Sequence, residues 1–224
     1  MGAMNGSLAS ILRSAALGIR RKLSGYKFSS REYWRERYAL GGTSGAGSYN
    51  HLAAFKADIL NRFVEGHSIR SLIEFGCGDG NQLSLAVYPD YAGYDIITEA
   101  IEICRETFRG DASKQFYLMD NYDGRQAEMS LSLDVVFHLI EDEVFERYMG
   151  QLFDAATRFV AVYSSNTDEN SANTTLHVKH RKFTRWVDTK RSEWRLIEVV
   201  DNKYSYDGDH TRTSFADFYF YERR

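Results

Sequence analysis

Between Ser71 and Gln82 the chain reads SLIEFGCGDGNQ, a short apolar run in which Glu74 precedes glycines at 76, 78 and 80. Glycines at alternate positions after a strand let backbone approach a ligand where a Cβ would collide. Two familiar chemistries fail here. A Walker phosphate cradle needs a Lys-Ser/Thr pair after the glycines, and Gly80 is followed by Asn81 and Gln82. A dinucleotide fingerprint needs a third spaced glycine, and Asn81 stands in its place. The glycines are therefore not primarily a phosphate cradle. Asp95 follows about 20 residues on, where a carboxylate can accept both hydroxyls of a ribose. Asp120 and Asn121 come next, at the end of the third expected strand, where they can initiate a turn.

A second group has proton chemistry. Asp134 and His138 stand four apart in SLDVVFHLIED. A helical turn just after a strand would place both on one face. Histidine takes a proton near neutral pH, so His138 and Asp134 are the candidate bases. The bland alternatives are a histidine bracing a strand end and an aspartate capping a turn. Glu141, Asp142 and Glu143 read as charge at a helix N-terminus. His177 and His180 have a spacing that could touch a metal, but no third ligand accompanies them, so no metal is expected. Lys179, Arg181, Lys182 and Arg185 form a basic stretch around them, either a solvated face or a contact for an acidic acceptor. Upstream, Trp34, Arg37 and Tyr38 precede a glycine-rich stretch, Gly41 to Ser48, that reads as a mobile or ligand-shaped loop.

These groups need a frame to hold them. SLIEF, YAGYD, KQFYLMD, EMSLSLDVV and RFVAVYSS read as strands, and helices are expected over Glu99 to Phe108, Glu141 to Phe153 and His180 to Val187. WRLIEVV and SFADFYFYE follow without a helix between them, which predicts an antiparallel terminal hairpin. Alternating strands and helices imply an α/β fold, doubly wound, with a mostly parallel seven-stranded sheet and an antiparallel C-terminal strand. Leu52, Phe55, Ile59 and Phe63 mark an amphipathic helix before the first strand. Leu8, Ile11, Leu12, Ala15, Ile19 and Leu23 mark another, with Arg13, Arg20, Arg21 and Lys22 mostly off its stripe. That helix is either a cap docked on its own domain or a contact for a membrane surface or another protein. Residues 1–68 thus read as a helical extension and lid on the domain formed by 69–224. The opening MGAMNGS reads as appended residues and is set aside.

The composition is that of a folded globular chain: 224 residues, 43% hydrophobic and 26% charged. A net charge of -3 argues against nucleic acid as the main partner. With Cys77 and Cys104 the only cysteines and no secretory pattern, a reducing cytoplasmic setting is the expectation.

IEFGCGDGNQ resembles motif I of the class I S-adenosylmethionine-dependent methyltransferases, an acid followed by G-x-G-x-G. The resemblance continues through Asp95, Asp120 and SLDVVFHLIED and covers roughly residues 70–165. It implies a Rossmann-like sheet with S-adenosylmethionine as cofactor and S-adenosylhomocysteine as product. By that likeness Glu74, Gly76, Cys77, Gly78, Asp95, Ile96, Asp120, Asn121 and Leu133 surround the donor. A lid carrying Tyr38, Ser48 and Tyr49 closes over it. His138 and Asp134 line the methyl-transfer cleft. The leading expectation is O-methylation of a hydroxyl on a small molecule, sugar or glycan. The alternatives are methylation of an amine or of RNA, and a non-catalytic donor-binding module. Acceptor identity and oligomeric state stay open.

Overall fold

The computed structural model describes residues 28–171 and 174–224. The expected helix over Leu8 to Leu23 lies outside the described residues. The chain enters through α1 (Ser30–Ala39), makes a 3-10 turn at Ala46–Ser48, and continues into α2 (Asn50–Gly66). Strands follow at β1 (Ser71–Phe75), β2 (Asp90–Asp95), β3 (Lys114–Leu118), β4 (Ala127–Leu133) and β5 (Ala156–Ser164). Helix α3 (Thr98–Thr107) joins β2 to β3, and α4 (Asp142–Asp154) joins β4 to β5. Helix α5 (Phe183–Lys190) precedes the hairpin of β6 (Trp194–Val200) and β7 (Asp217–Arg223).

The sheet order is β3-β2-β1-β4-β5-β7-β6. The first five strands pair in parallel, and β7 enters antiparallel between β5 and β6. The strand order reverses beside β1, so a crevice opens at the carboxyl ends of β1, β2 and β4. One face of the sheet packs under α2 and α3, through Leu60, Phe63, Ile101 and Cys104 against Leu72, Leu131 and Phe220. The other packs under α4 and α5, through Phe145, Met149, Phe183 and Val187 against Ile73, Val160 and Tyr221. Strands buried on both faces are near-continuous apolar runs, as SLIEF is.

Two crossovers are shortened. A 3-10 turn at Leu83–Leu85 stands between β1 and β2, and another at Met119–Asn121 between β3 and β4, where doubly wound sheets usually carry helices. The second leaves an aromatic cover over the outer strands: Tyr122 packs edge-on to Phe75 and Tyr94, with ring centroids 5.0 and 5.3 Å away.

The structure corrects two expected elements. The helix expected from His180 begins at Phe183, because the residues before it are extended and tied down. Lys179 N donates to Phe137 O, and His180 N donates to Asn170 Oδ1. The helical turn expected to align Asp134 with His138 does not form. Asp134 takes a left-handed φ of 59°, and only Val136–His138 makes a single 3-10 turn. The two side chains therefore do not share a helix face. No helix among the described residues is long and apolar enough to cross a membrane.

Candidate functional site

One cavity of about 640 Å³ opens at the carboxyl ends of β1, β2 and β4. Its floor is the loop after β1. Gly76 and Gly78 have φ of 84° and 58°, which side-chain-bearing residues rarely adopt. A Cβ on Gly76 would run into Val135, and one on Gly78 would stand 2.8 Å from Ser44 Cβ. The loop is packed from behind and from above, so its ligand face is presented by backbone.

Asp95, at the end of β2, shapes this loop. Its Oδ2 accepts from Gly78 N at 2.9 Å and its Oδ1 from Ile97 N at 2.9 Å. Burial raises its pKa to about 6 against the pull of these backbone donors. Glu74 sits inside β1, where its Oε2 accepts from the Tyr91 hydroxyl at 2.5 Å. Burial raises it to about 7, a shift that the Tyr91 hydrogen bond and the charge of Lys56 oppose. The Cys77 thiol is pushed up by the neighbouring Cys104 thiol and by burial, so Cys77 stays a protonated packing group near neutral pH. Cys104 Sγ donates to Gly78 O at 3.2 Å.

The segment before β1 roofs the cavity and is held by carboxylates of the sheet domain. Ser30 N and Oγ donate to Glu141 at 3.0 and 2.6 Å. Arg31 makes a forked pair with Asp120 at 2.8 and 2.6 Å. Asp79, in the glycine loop, accepts from Ser44 N, Ser44 Oγ and the Tyr49 hydroxyl. The glycine-rich stretch is therefore shaped by the loop that it covers.

Two buried polar atoms on the cavity wall have no partner among the described residues. Tyr38 is 8% exposed and its hydroxyl is unpaired; Gln82 is 8% exposed and its Oε1 is unpaired. The Gln82 amide orientation follows from its other end, since Nε2 donates to the Ala53 carbonyl. An orphan donor and an orphan acceptor each cost free energy unless a ligand satisfies them. Together they suit a zwitterion, the hydroxyl for a carboxylate and the amide oxygen for an ammonium.

His138 lies on the opposite side, edge-on to Trp34 at 5.0 Å. Its Nδ1 is 2.8 Å from His177 O; a carbonyl only accepts, so Nδ1 carries the proton and Nε2 is the basic nitrogen. Burial lowers its pKa to about 4, so it is neutral at physiological pH. His177 stacks between the rings of Tyr33 and His138, at 4.4 and 5.3 Å. Asp134 also lines the cavity, with Oδ2 2.5 Å from Lys56 Nζ.

Of the residues singled out in the sequence, Glu74, Gly76, Cys77, Gly78, Asp95, Ile96, Asp120, Leu133, Asp134, His138, Tyr38 and Ser48 line this one cavity. Asn121 and Tyr49 do not. Asn121 turns to solvent on the 3-10 turn after β3, and Tyr49 spends its hydroxyl on Asp79. Asp120 is 64% exposed, with both oxygens in the Arg31 fork, and its position is the rim of the roof. Ser164, the last residue of β5, and Ser165 after it are buried, and Ser165 pairs with His180 at 2.7 Å. Lys179 and Arg181 grip Asp142, which holds that carboxyl near 2, and Arg185 pairs with Asp168. Most of the basic stretch is thus spent within the chain. No group of three or more His, Cys, Asp or Glu that could hold a metal occurs among the described residues. Gln82, Lys56 and Arg31 escaped the sequence reading. Gln82 had one local signal, its place directly behind the glycine motif.

No protein-family model matches the sequence, and no curated protein sequence matches it. Solved structures match in shape. Magnesium protoporphyrin IX methyltransferase (ChlM) from Synechocystis PCC 6803, with bound SAM, has a TM-score of 0.61 at 12% identity, over 88% of this chain and 99% of that one. N-methyltransferase NodS from Bradyrhizobium japonicum WM9, in complex with S-adenosyl-L-homocysteine, has a TM-score of 0.61 at 10% identity, over 77% and 87%. The methyltransferase domain of bacterial CtHen1-C has a TM-score of 0.58 at 13% identity, over 75% and 96%. At these identities the likeness shows the fold, that of the class I S-adenosylmethionine-dependent methyltransferases.

Proposed function

We propose that this chain is an S-adenosylmethionine-dependent methyltransferase acting on a hydroxyl of a small molecule, sugar or glycan. The observation that carries the donor half is the orphan pair: the Tyr38 hydroxyl and Gln82 Oε1 offer a buried donor and acceptor for an amino-acid end. Around it, Asp95 keeps lone pairs for the ribose hydroxyls, Ile96 packs on the base, and Gly76 and Gly78 admit the ligand at backbone distance. S-adenosylmethionine, when bound, supplies a methyl group on a positively charged sulfur.

The acceptor half rests on His138. As the oxygen–methyl bond forms, the methyl–sulfur bond breaks and its electron pair stays on sulfur. The acceptor proton passes to His138 Nε2. A hydroxyl becomes strongly acidic while it is being methylated, so a neutral imidazole suffices even with its basicity lowered by burial. Nδ1, anchored on His177 O, fixes the ring so that the other nitrogen stays free of a proton. Trp34 and the roof keep water away, which favours a reaction that disperses charge. The roof over the donor, residues 28–48, acts as the lid.

Calorimetry with S-adenosylmethionine and S-adenosylhomocysteine tests the donor half. Gln82→Leu is expected to weaken both about tenfold or more, the cost of leaving the ligand's ammonium without its partner. Wild-type protein that binds neither ligand would end the reading. A screen of hydroxyl acceptors with labelled donor tests the other half, and transfer to amines alone would replace oxygen by nitrogen.

A further inference from the structure

Lys56 lies on α2 with 1% of its side chain exposed. Its neighbours on the buried face of that helix are Leu52, Ala53, Leu60 and Phe63, and an apolar side chain would suit the position. Its Nζ instead donates to Asp134 Oδ2 at 2.5 Å and stands 5.2 Å from the centre of the Tyr163 ring. The same charge acts on Glu74. One buried ammonium thus sits near two carboxylates that line the cavity, without lining it itself.

Asp134 is committed to this place by its backbone. Its φ is 59°, its N–H donates to Tyr163 O at 3.0 Å, and a Cβ on Gly47 would lie 2.8 Å from Oδ2. The carboxylate is 18% exposed, with one oxygen taken by Lys56. A buried ion pair is rarely more stabilising than an apolar pair of similar volume. A left-handed aspartate adds strain of the kind that persists at functional positions. The pair therefore needs a reason other than stability, and the cavity supplies one.

Building on the methyl-donor reading above, we propose that Lys56 is a positioning residue that seats Asp134 in the cavity wall and balances its charge. The pair thereby sets how strongly the site prefers the cationic sulfonium donor over its neutral thioether product. The two ligands share every group except the methyl and its charge. An unbalanced carboxylate at the wall would hold the donor's concentrated charge more tightly than the dispersed charge of the transition state, and turnover would fall. Lys56 prevents that trap, while Asp134 keeps enough negative potential for the donor to enter.

The test measures Kd for S-adenosylmethionine and for S-adenosylhomocysteine, with kcat and KM, on the full chain and four variants. Lys56→Met is expected to raise the preference for S-adenosylmethionine about tenfold, the scale of one unit charge about 12 Å away at an effective dielectric of about 20. Its kcat falls while KM does not rise. Asp134→Asn is expected to move the preference the opposite way. The double variant returns it toward the wild-type ratio, and Lys56→Arg retains it. General damage weakens both ligands in parallel, so an unchanged ratio in Lys56→Met and Asp134→Asn overturns the proposal. If Lys56→Met does not fold, Asp134→Asn alone decides by its direction. A wild type that binds neither ligand fails the donor reading first, a result distinct from an unchanged ratio.

Discussion

Donor binding should release protons, because the two buried acids beside the glycine loop, Glu74 in β1 and Asp95 at the end of β2, are partly protonated before a ligand arrives. Burial places Glu74 at about 7 and Asp95 at about 6. At pH 7 Glu74 is then about half protonated and Asp95 about one-tenth; at pH 6 the fractions are about 0.9 and 0.5. A cationic donor with ribose hydroxyls favours both carboxylates. Full ionisation on binding releases about 0.6 proton at pH 7 and about 1.4 at pH 6. The linked affinity for S-adenosylmethionine falls about 20-fold from pH 8 to pH 6. In Glu74→Gln the remaining dependence is about twofold, carried by Asp95. The assay is titration calorimetry in buffers of different ionisation enthalpy, where the slope of heat against buffer enthalpy counts protons. A flat slope at pH 6 together with a pH-independent Kd would refute the reasoning. The free protein carries the matching sign. Both acids have a folded pKa above the unfolded value, so their share of its stability is present in acid and declines as pH rises from about 4 to 7. Donor binding is expected to flatten that decline, read as Tm against pH with and without ligand.

His138→Ala should lower kcat by about 10²–10⁴-fold while leaving the Kd of S-adenosylhomocysteine within about threefold, and an unchanged kcat would remove His138 from proton transfer. Arg31→Ala should speed release of S-adenosylhomocysteine by up to about fivefold, since an exposed fork such as Arg31–Asp120 contributes at most about 1 kcal/mol. Stopped-flow displacement reads that rate, and an unchanged value would separate the fork from lid opening.

The strands carrying Glu74 and Asp95 are legible because their signals are local: an apolar run, glycines, then an acid. The terminal hairpin was legible for the same reason. What stayed hidden depends on pairs distant in sequence. Asp120 lines the cavity, but its forked pair with Arg31 spans 89 residues and has no local signal. Lys56 carries no signal of its own in the sequence, and only its contact with Asp134 across 78 residues reveals a buried ion. The spacing of Asp134 and His138 suggested a helical turn, but spacing carries no information about a positive φ. Asn121 and Tyr49 were chosen by their neighbours in sequence, while the backbone turns one outward and a carboxylate claims the other. His180 was read into a helix that its bond to Ser165 and the ties of Lys179 hold open.

Asp79 bears on where this chain can be cut. It is a buried carboxylate whose donors come from Ser44 and Tyr49, ahead of β1, and from Asn81 beside it. A shortened protein starting between α2 and β1 would keep every strand and lose three of those hydrogen bonds, each about 1.5–3 kcal/mol for a charged acceptor. Asp79 would keep only the Asn81 N–H and water as donors, and the loop would lose the ties that fix its outer side. The described segment ahead of the sheet is thus tied to the glycine loop, and a fragment that keeps these ties has to begin before Ser44.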